Sequence, residues 1–123
     1  MKRILIIEDS TEYRQFIAEI LRLCGFELVE AEDAKKGIEL VFQSNPNLII
    51  CDLHLPIADG FSTLTAVRSD EAHSQIPFVI LSADTQSTQI RRGIELGANA
   101  YLTKPIAASE LVQTVRHFLQ NAA

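Results

Sequence analysis

Three carboxylates, two hydroxyls and a lysine occupy places in this 123-residue chain where a short apolar run has just ended. Glu8 and Asp9 follow the first run, Asp52 the third, Ser82 the fourth, and Thr103 and Lys104 the fifth. If the runs are parallel strands, these groups meet along one edge of a sheet. Carboxylates brought together repel, and each raises the pKa of the others unless a cation intervenes. A hard divalent ion relieves that repulsion. Mg²⁺ suits such a site, because it binds through one or two carboxylates and keeps waters for a phosphate-bearing ligand. Lys104 adds a point charge able to pair with a carboxylate or a phosphoryl oxygen. Taken singly, each residue has an everyday role: Asp9 or Ser82 as a helix cap, Lys104 as a solvated loop residue ahead of Pro105. Four strand ends carrying such groups together outweigh those separate readings.

The elements that must position these groups follow from periodicity. Arg3–Ile7 is a continuous β-branched run, as in a strand covered on both faces. Asp9 or Ser10 then caps a helix with Tyr13, Phe16, Ile17, Ile20, Leu21 and Cys24 on its apolar face, and Gly25 closes it. Residues 26–31 alternate as an edge strand does. Asp33 caps a second helix bearing Ala34, Ile38, Leu40, Val41 and Phe42, which runs toward Pro46. Residues 47–51 and 77–81 are further strands. Between them lie a loop over 54–60 and a helix through Phe61, Leu64 and Val67. A polar helix over 85–96, a short strand over 99–102 and a last helix over 109–119 complete the series. Strands alternating with helices predict a parallel sheet with helices on both faces. Five strands in a small α/β domain favour the flavodoxin-like, doubly wound order 2-1-3-4-5. Its ligand crevice opens between the first and third strands, at their carboxyl ends.

Composition bounds the function. Apolar residues make up 47% and charged residues 22%, with no linker or repeat, which predicts one domain over 1–123. The net charge of −5 and the scatter of the eleven basic residues argue against direct nucleic-acid binding, which needs clustered Lys and Arg. No apolar run reaches the roughly 20 residues of a membrane helix, and the N-terminus lacks the pattern of a signal peptide. Cys24 and Cys51 read as reduced, buried thiols. These features predict a cytoplasmic protein with no membrane partner. His73 and His117 read as ordinary surface residues.

The segments IIEDS at Glu8–Asp9, CDLHLPIADGF around Asp52, ILSA at Ser82 and YLTKPI at Lys104–Pro105 stand in order along the chain. Together they resemble the receiver domain of two-component response regulators over nearly its whole length. The resemblance implies that Asp52 accepts a phosphoryl group from the phosphohistidine of a sensor histidine kinase or phosphotransfer protein. It implies Mg²⁺ held by Asp9, Asp52 and the backbone carbonyl of His54, with Glu8 acting through water. It implies that Ser82 and Lys104 engage phosphoryl oxygens, that Tyr101 is an aromatic switch turning inward with Ser82, and that the Lys104–Pro105 bond is cis. The family's output surface would be the last two helices with the fifth strand, serving a downstream partner or a homodimer. The domain would be a signalling switch rather than a turnover enzyme.

The chain departs from the commonest pattern at three places. Ser82 stands where Thr is more frequent, His54 where Met is common, and Asp84 lies two residues after Ser82; His54 and Asp84 occupy positions that tune acyl-phosphate hydrolysis in the family. Other readings start from the same residues. A phosphohydrolase of the haloacid dehalogenase kind would place D-x-D after its first strand, where this chain has Glu8-Asp9-Ser10-Thr11. A flavin carrier would need a phosphate-cradling first loop, which Glu8 and Asp9 would repel. A docking module independent of phosphorylation leaves the acidic groups unexplained. The chain reads equally as a free-standing regulator or as one segment of a longer protein.

Overall fold

Unbroken apolar runs become central strands because both their faces are covered. The computed structural model describes residues 1–120; the final three residues of the predicted 1–123 span lie outside the described residues. Its elements are β1 (Arg3–Ile7), α1 (Thr11–Leu23), β2 (Glu27–Ala31), α2 (Ala34–Ser44), β3 (Leu48–Cys51), α3 (Gly60–Ser69), β4 (Phe78–Ser82), α4 (Ser87–Glu95), β5 (Ala100–Thr103) and α5 (Ala108–Gln120). The five strands are parallel in the order β2-β1-β3-β4-β5, the flavodoxin-like doubly wound arrangement.

Period-2 alternation divides the core into two layers. Ile4, Ile6, Leu48, Ile50, Val79 and Leu81 face α1 and α5, packing with Ile17, Leu21, Leu111 and Val115. Leu5, Ile7, Ile49, Cys51, Phe78 and Ile80 face the other way, against Val41, Phe61, Leu64 and Val67 of α2 and α3. β2 and β5 are the half-exposed edges.

Three helices begin at side-chain caps. Ser10 accepts from the Tyr13 N–H, Asp33 from that of Lys36 and Asp59 from that of Ser62. Far from the strands' carboxyl ends, Arg68 of α3 ties three segments together. It donates to the Gly97 carbonyl (3.0 and 2.8 Å), to the Ser74 and Ile76 carbonyls (3.1 and 2.7 Å) and to Asn99 Oδ1 (3.0 Å).

Several expectations need correcting. Phe16 and Phe42, read as apolar positions of the first two helices, lie at the margin of their apolar stripes and are 43% and 49% exposed. Phe16 packs edge-on against Tyr13, and Phe42 against the ring of His73. Cys24 is half-buried rather than buried, at the end of α1. His73 is no ordinary surface residue: its side chain is 11% exposed, with Nδ1 2.5 Å from Asp70 and Nε2 2.9 Å from Asn45. It thereby links the α3–β4 connection to the end of α2. The polar fourth helix is shorter than expected at both ends, and its N-cap residue Gln86 makes no side-chain cap.

Candidate functional site

The backbone ladder runs on past the strands into the residues that carry chemistry. The Glu8 N–H donates to the Ala31 carbonyl, the Asp52 N–H to Ile7 and the Lys104 N–H to Ser82, all at 2.9–3.0 Å. These anchors fix three chain segments relative to one another before any side chain is considered. Glu8, Asp52 and Ser82 are buried, Asp52 to 8% exposure, while Asp9 is exposed. Ser10, not Asp9, caps α1, which leaves the Asp9 carboxylate to the crevice. One oxygen from each of Glu8, Asp9 and Asp52 lies within 4.8 Å of the others.

Lys104 reaches into this cluster. Its ammonium bonds Glu8 Oε1 and lies 3.0 Å from Asp52 Oδ2. Burial pushes the Glu8 carboxyl above its ordinary value, further than the bonds from Lys104 and the Ser10 N–H pull it down, and Asp52 adds to the rise. Burial alone would lower the pKa of Lys104, but its bonds to Glu8 and Asp52 outweigh that and raise it. Three carboxylates against one ammonium leave the crevice negative if all are ionised. The donors are all oxygen, the set preferred by hard cations such as Mg²⁺, so the residues fit the ion the sequence implies.

Around Asp52, Gly60 leaves room that no other residue could: a Cβ there would lie 2.4 Å from the Asp52 carbonyl oxygen. The Gly60 N–H closes the loop onto the Leu53 carbonyl at 2.8 Å. Within that loop Ile57 has φ +73° and is 98% exposed. The Ala58 N–H donates to the Pro56 carbonyl at 2.8 Å, so Ile57 is the centre of a γ-turn of the strained hand.

The β4–α4 loop meets the site from the other side. Ser82 closes β4 and does not cap α4; its Oγ accepts from the Asp84 N–H at 3.2 Å. His54 Nε2 lies 3.0 Å from Asp84 Oδ2, bridging the β3–α3 and β4–α4 loops. The N–H of Gln86 and the His54 ring hold the Asp84 carboxyl below its ordinary range. Tyr101 donates its hydroxyl to the Asp84 carbonyl at 2.5 Å, and burial raises its pKa. The His54 N–H lies 3.4 Å from Asp52 Oδ1. The Lys104–Pro105 peptide is cis. Burial drives the Cys51 thiol well above its usual pKa, so it offers no nucleophile beside Asp52.

Sequence reasoning missed two neighbours of the site. Arg14 donates to the Glu8 carbonyl at 2.6 Å and pairs with Glu30 at 3.3 Å. Tyr13 carries the Lys104 ammonium 4.5 Å from its ring centroid and accepts from the Ile106 N–H at 3.1 Å. Helical periodicity assigns Tyr13 to an apolar face, and nothing local marks a partner 91 residues away.

Residues 4–116 match the family described as response regulator receiver domain. The chain belongs to that family, the signalling domains of two-component response regulators. It is 38% identical over 120 residues to the DNA-binding dual master transcriptional regulator RpaA of Synechocystis, covering 98% of this chain and 50% of that protein. It thus spans about half the length of the curated relatives it matches. Among solved structures it is similar to the receiver domain of Francisella response regulator 1452, with TM-score 0.92 and 28% identity, covering 100% of both chains. It is also similar to the chemotaxis response regulator CheY4 of Vibrio cholerae, with TM-score 0.90 and 26% identity, covering 96% of this chain and 98% of that one. Family membership displaces the phosphohydrolase and flavin-carrier readings. Among the described residues, no helix is long and apolar enough to cross a membrane.

Proposed function

We propose that Asp52 is the phosphoacceptor of a signalling switch, and that its donor is the phosphohistidine of a sensor histidine kinase or phosphotransfer protein. One observation carries the reading: the buried Asp52 carboxylate lies 3.0 Å from a lysine ammonium and has an oxygen within 4.8 Å of those of two further carboxylates. An Asp52 oxygen attacks phosphorus, a P–O bond forms as the P–N bond breaks, and the departing imidazole nitrogen takes up a proton. Asp9, Asp52 and the carbonyl of His54 would hold Mg²⁺, with Glu8 acting through water, and the ion supplies neutralisation of charge on the transferring group. Lys104 supplies the second positive charge, and the Ser82 hydroxyl donates to a phosphoryl oxygen. The added charge of roughly −1.5 to −2 then draws Ser82 and its loop inward, and Tyr101 follows.

His54 and Asp84, paired across the mouth, tune how readily water reaches the acyl phosphate. The altered surface is α4, β5 and α5, which serves an output partner or a second copy of the chain. Residues 1–123 act in the cytoplasm as one receiver domain, which assists its own labelling and hydrolysis without turning over a separate substrate. Its net charge of −5 disfavours direct contact with nucleic acid by this segment. The test is labelling by acetyl phosphate with Mg²⁺. Wild type should be labelled, Asp52→Asn should not, and a chelator should abolish the signal. Undiminished labelling of Asp52→Asn would defeat the assignment.

A further inference from the structure

The side chain of Tyr13 restrains Lys104 at both ends, and we propose that Tyr13 is a positioning residue for the transfer step. This rests on the reading of Asp52 as acceptor. Tyr13 sits on the first turn of α1, just past the Ser10 cap. Its ring face lies 4.5 Å from the Lys104 ammonium, and its hydroxyl accepts from the N–H of Ile106, two residues beyond that lysine. Ile106 is itself buried, so this bond anchors Tyr13 to a packed residue of the segment that carries Lys104. Phe16, one turn further along α1, backs the ring edge-on at 5.5 Å between centroids.

The choice of an aromatic has a physical logic. A lysine ammonium rides on a flexible four-carbon stem and needs to be fixed. Glu8 and Asp52 hold it from the anionic side, but Asp52 is the group that the reaction converts to an acyl phosphate. The Tyr13 ring takes no part in that conversion. An aromatic face attracts a cation without accepting a proton or cancelling its charge, so the contact with Tyr13 takes none of the charge of Lys104 away from the phosphoryl oxygens. A carboxylate in the same place would compete with phosphate for the ammonium. An aliphatic side chain would not attract it. The hydroxyl meanwhile pins the backbone segment from which the lysine projects.

Three variants separate the two contacts. Tyr13→Phe keeps the ring and loses the acceptor, whereas Tyr13→Leu and Tyr13→Met lose both. Labelling should be measured at saturating acetyl phosphate, with Mg²⁺ affinity measured separately and NMR reporting the Lys104 ε-methylene protons. Wild type and Tyr13→Phe should show these protons shifted upfield by the ring current; the Leu and Met variants should not. The Leu and Met variants should label about three- to tenfold more slowly, with Mg²⁺ affinity nearly unchanged and Tyr13→Phe in between. Wild-type labelling rates in the Leu and Met variants, or a fall in Mg²⁺ affinity matching the fall in rate, overturn the role. Failure of wild type to label at all would instead take down the acceptor reading, and this proposal with it.

Discussion

β3 leads into Asp52 and α4 follows the loop after Ser82, yet the two elements are held in different ways. Every residue of β3 is buried, and the strand is paired on both sides by β1 and β4. α4 buries Gly93 alone, begins without a side-chain cap and leaves Ile94 exposed. Gly93 lets the helix lie close, since a Cβ there would come within 2.7 Å of Ile80 Cδ1, but few of its side chains interdigitate with the sheet. Asp52 therefore follows directly on a stiff element, while the Ser82–Asp84 loop leads into a lightly held one. Elements with few buried apolar contacts open at the lowest free energy. On the proposed reading, a new charge at Asp52 would move α4 far more cheaply than it would deform β3.

The largest expected effect breaks or upholds that contrast directly. Ile50→Ala should cost about 2–5 kcal/mol, whereas Ile94→Ala should stay within about 0.5 kcal/mol, both read from urea unfolding. Equal losses would erase the distinction.

A smaller effect concerns pH. The pKa of Lys104 is raised, so its stabilising contribution is whole below the unfolded value of 10.5 and is lost as pH climbs through the higher folded value. The stability gap between wild type and Lys104→Met should therefore be widest near neutrality and shrink at strongly alkaline pH. A gap that widens there would contradict the ion-pair account.

The smallest effect lies in the β3–α3 loop. A non-glycine residue in the left-handed region costs about 1–2 kcal/mol, while glycine costs about 0.5–1 kcal/mol in chain entropy. Ile57→Gly should thus raise stability by up to about 1 kcal/mol, visible as a higher unfolding midpoint. A loss of stability would show that the exposed isoleucine side chain contributes something the turn geometry does not reveal.

The sheet was readable because continuous runs such as Leu48–Cys51 leave few alternatives to a doubly covered strand. The crevice was readable for a related reason: once strand order is known, strand ends bring Glu8, Asp52, Ser82 and Lys104 together whatever their rotamers. Other features depend on contacts between distant segments, which periodicity does not encode. Phe16 and Phe42 fit an apolar stripe but lie at its margin, where Tyr13 and His73 cover them only in part. The placement of Tyr13 beneath Lys104 depends on how α1 sits against the end of β5. Asp9 and Ser10 were both plausible caps, and only the geometry of the first turn separates them.

The guanidinium of Arg68 has a mechanical consequence. By gripping the Gly97 carbonyl, it tethers the chain just beyond the carboxyl end of α4 directly to α3. The amino end at Gln86 lacks a side-chain cap and is held through the loop, by its N–H on Asp84. A rod pinned at one tip does not slide; it swings. Movement of α4 about that tether would be angular, smallest beside Gly97 and greatest at Ser87, the end joined to the loop after Ser82.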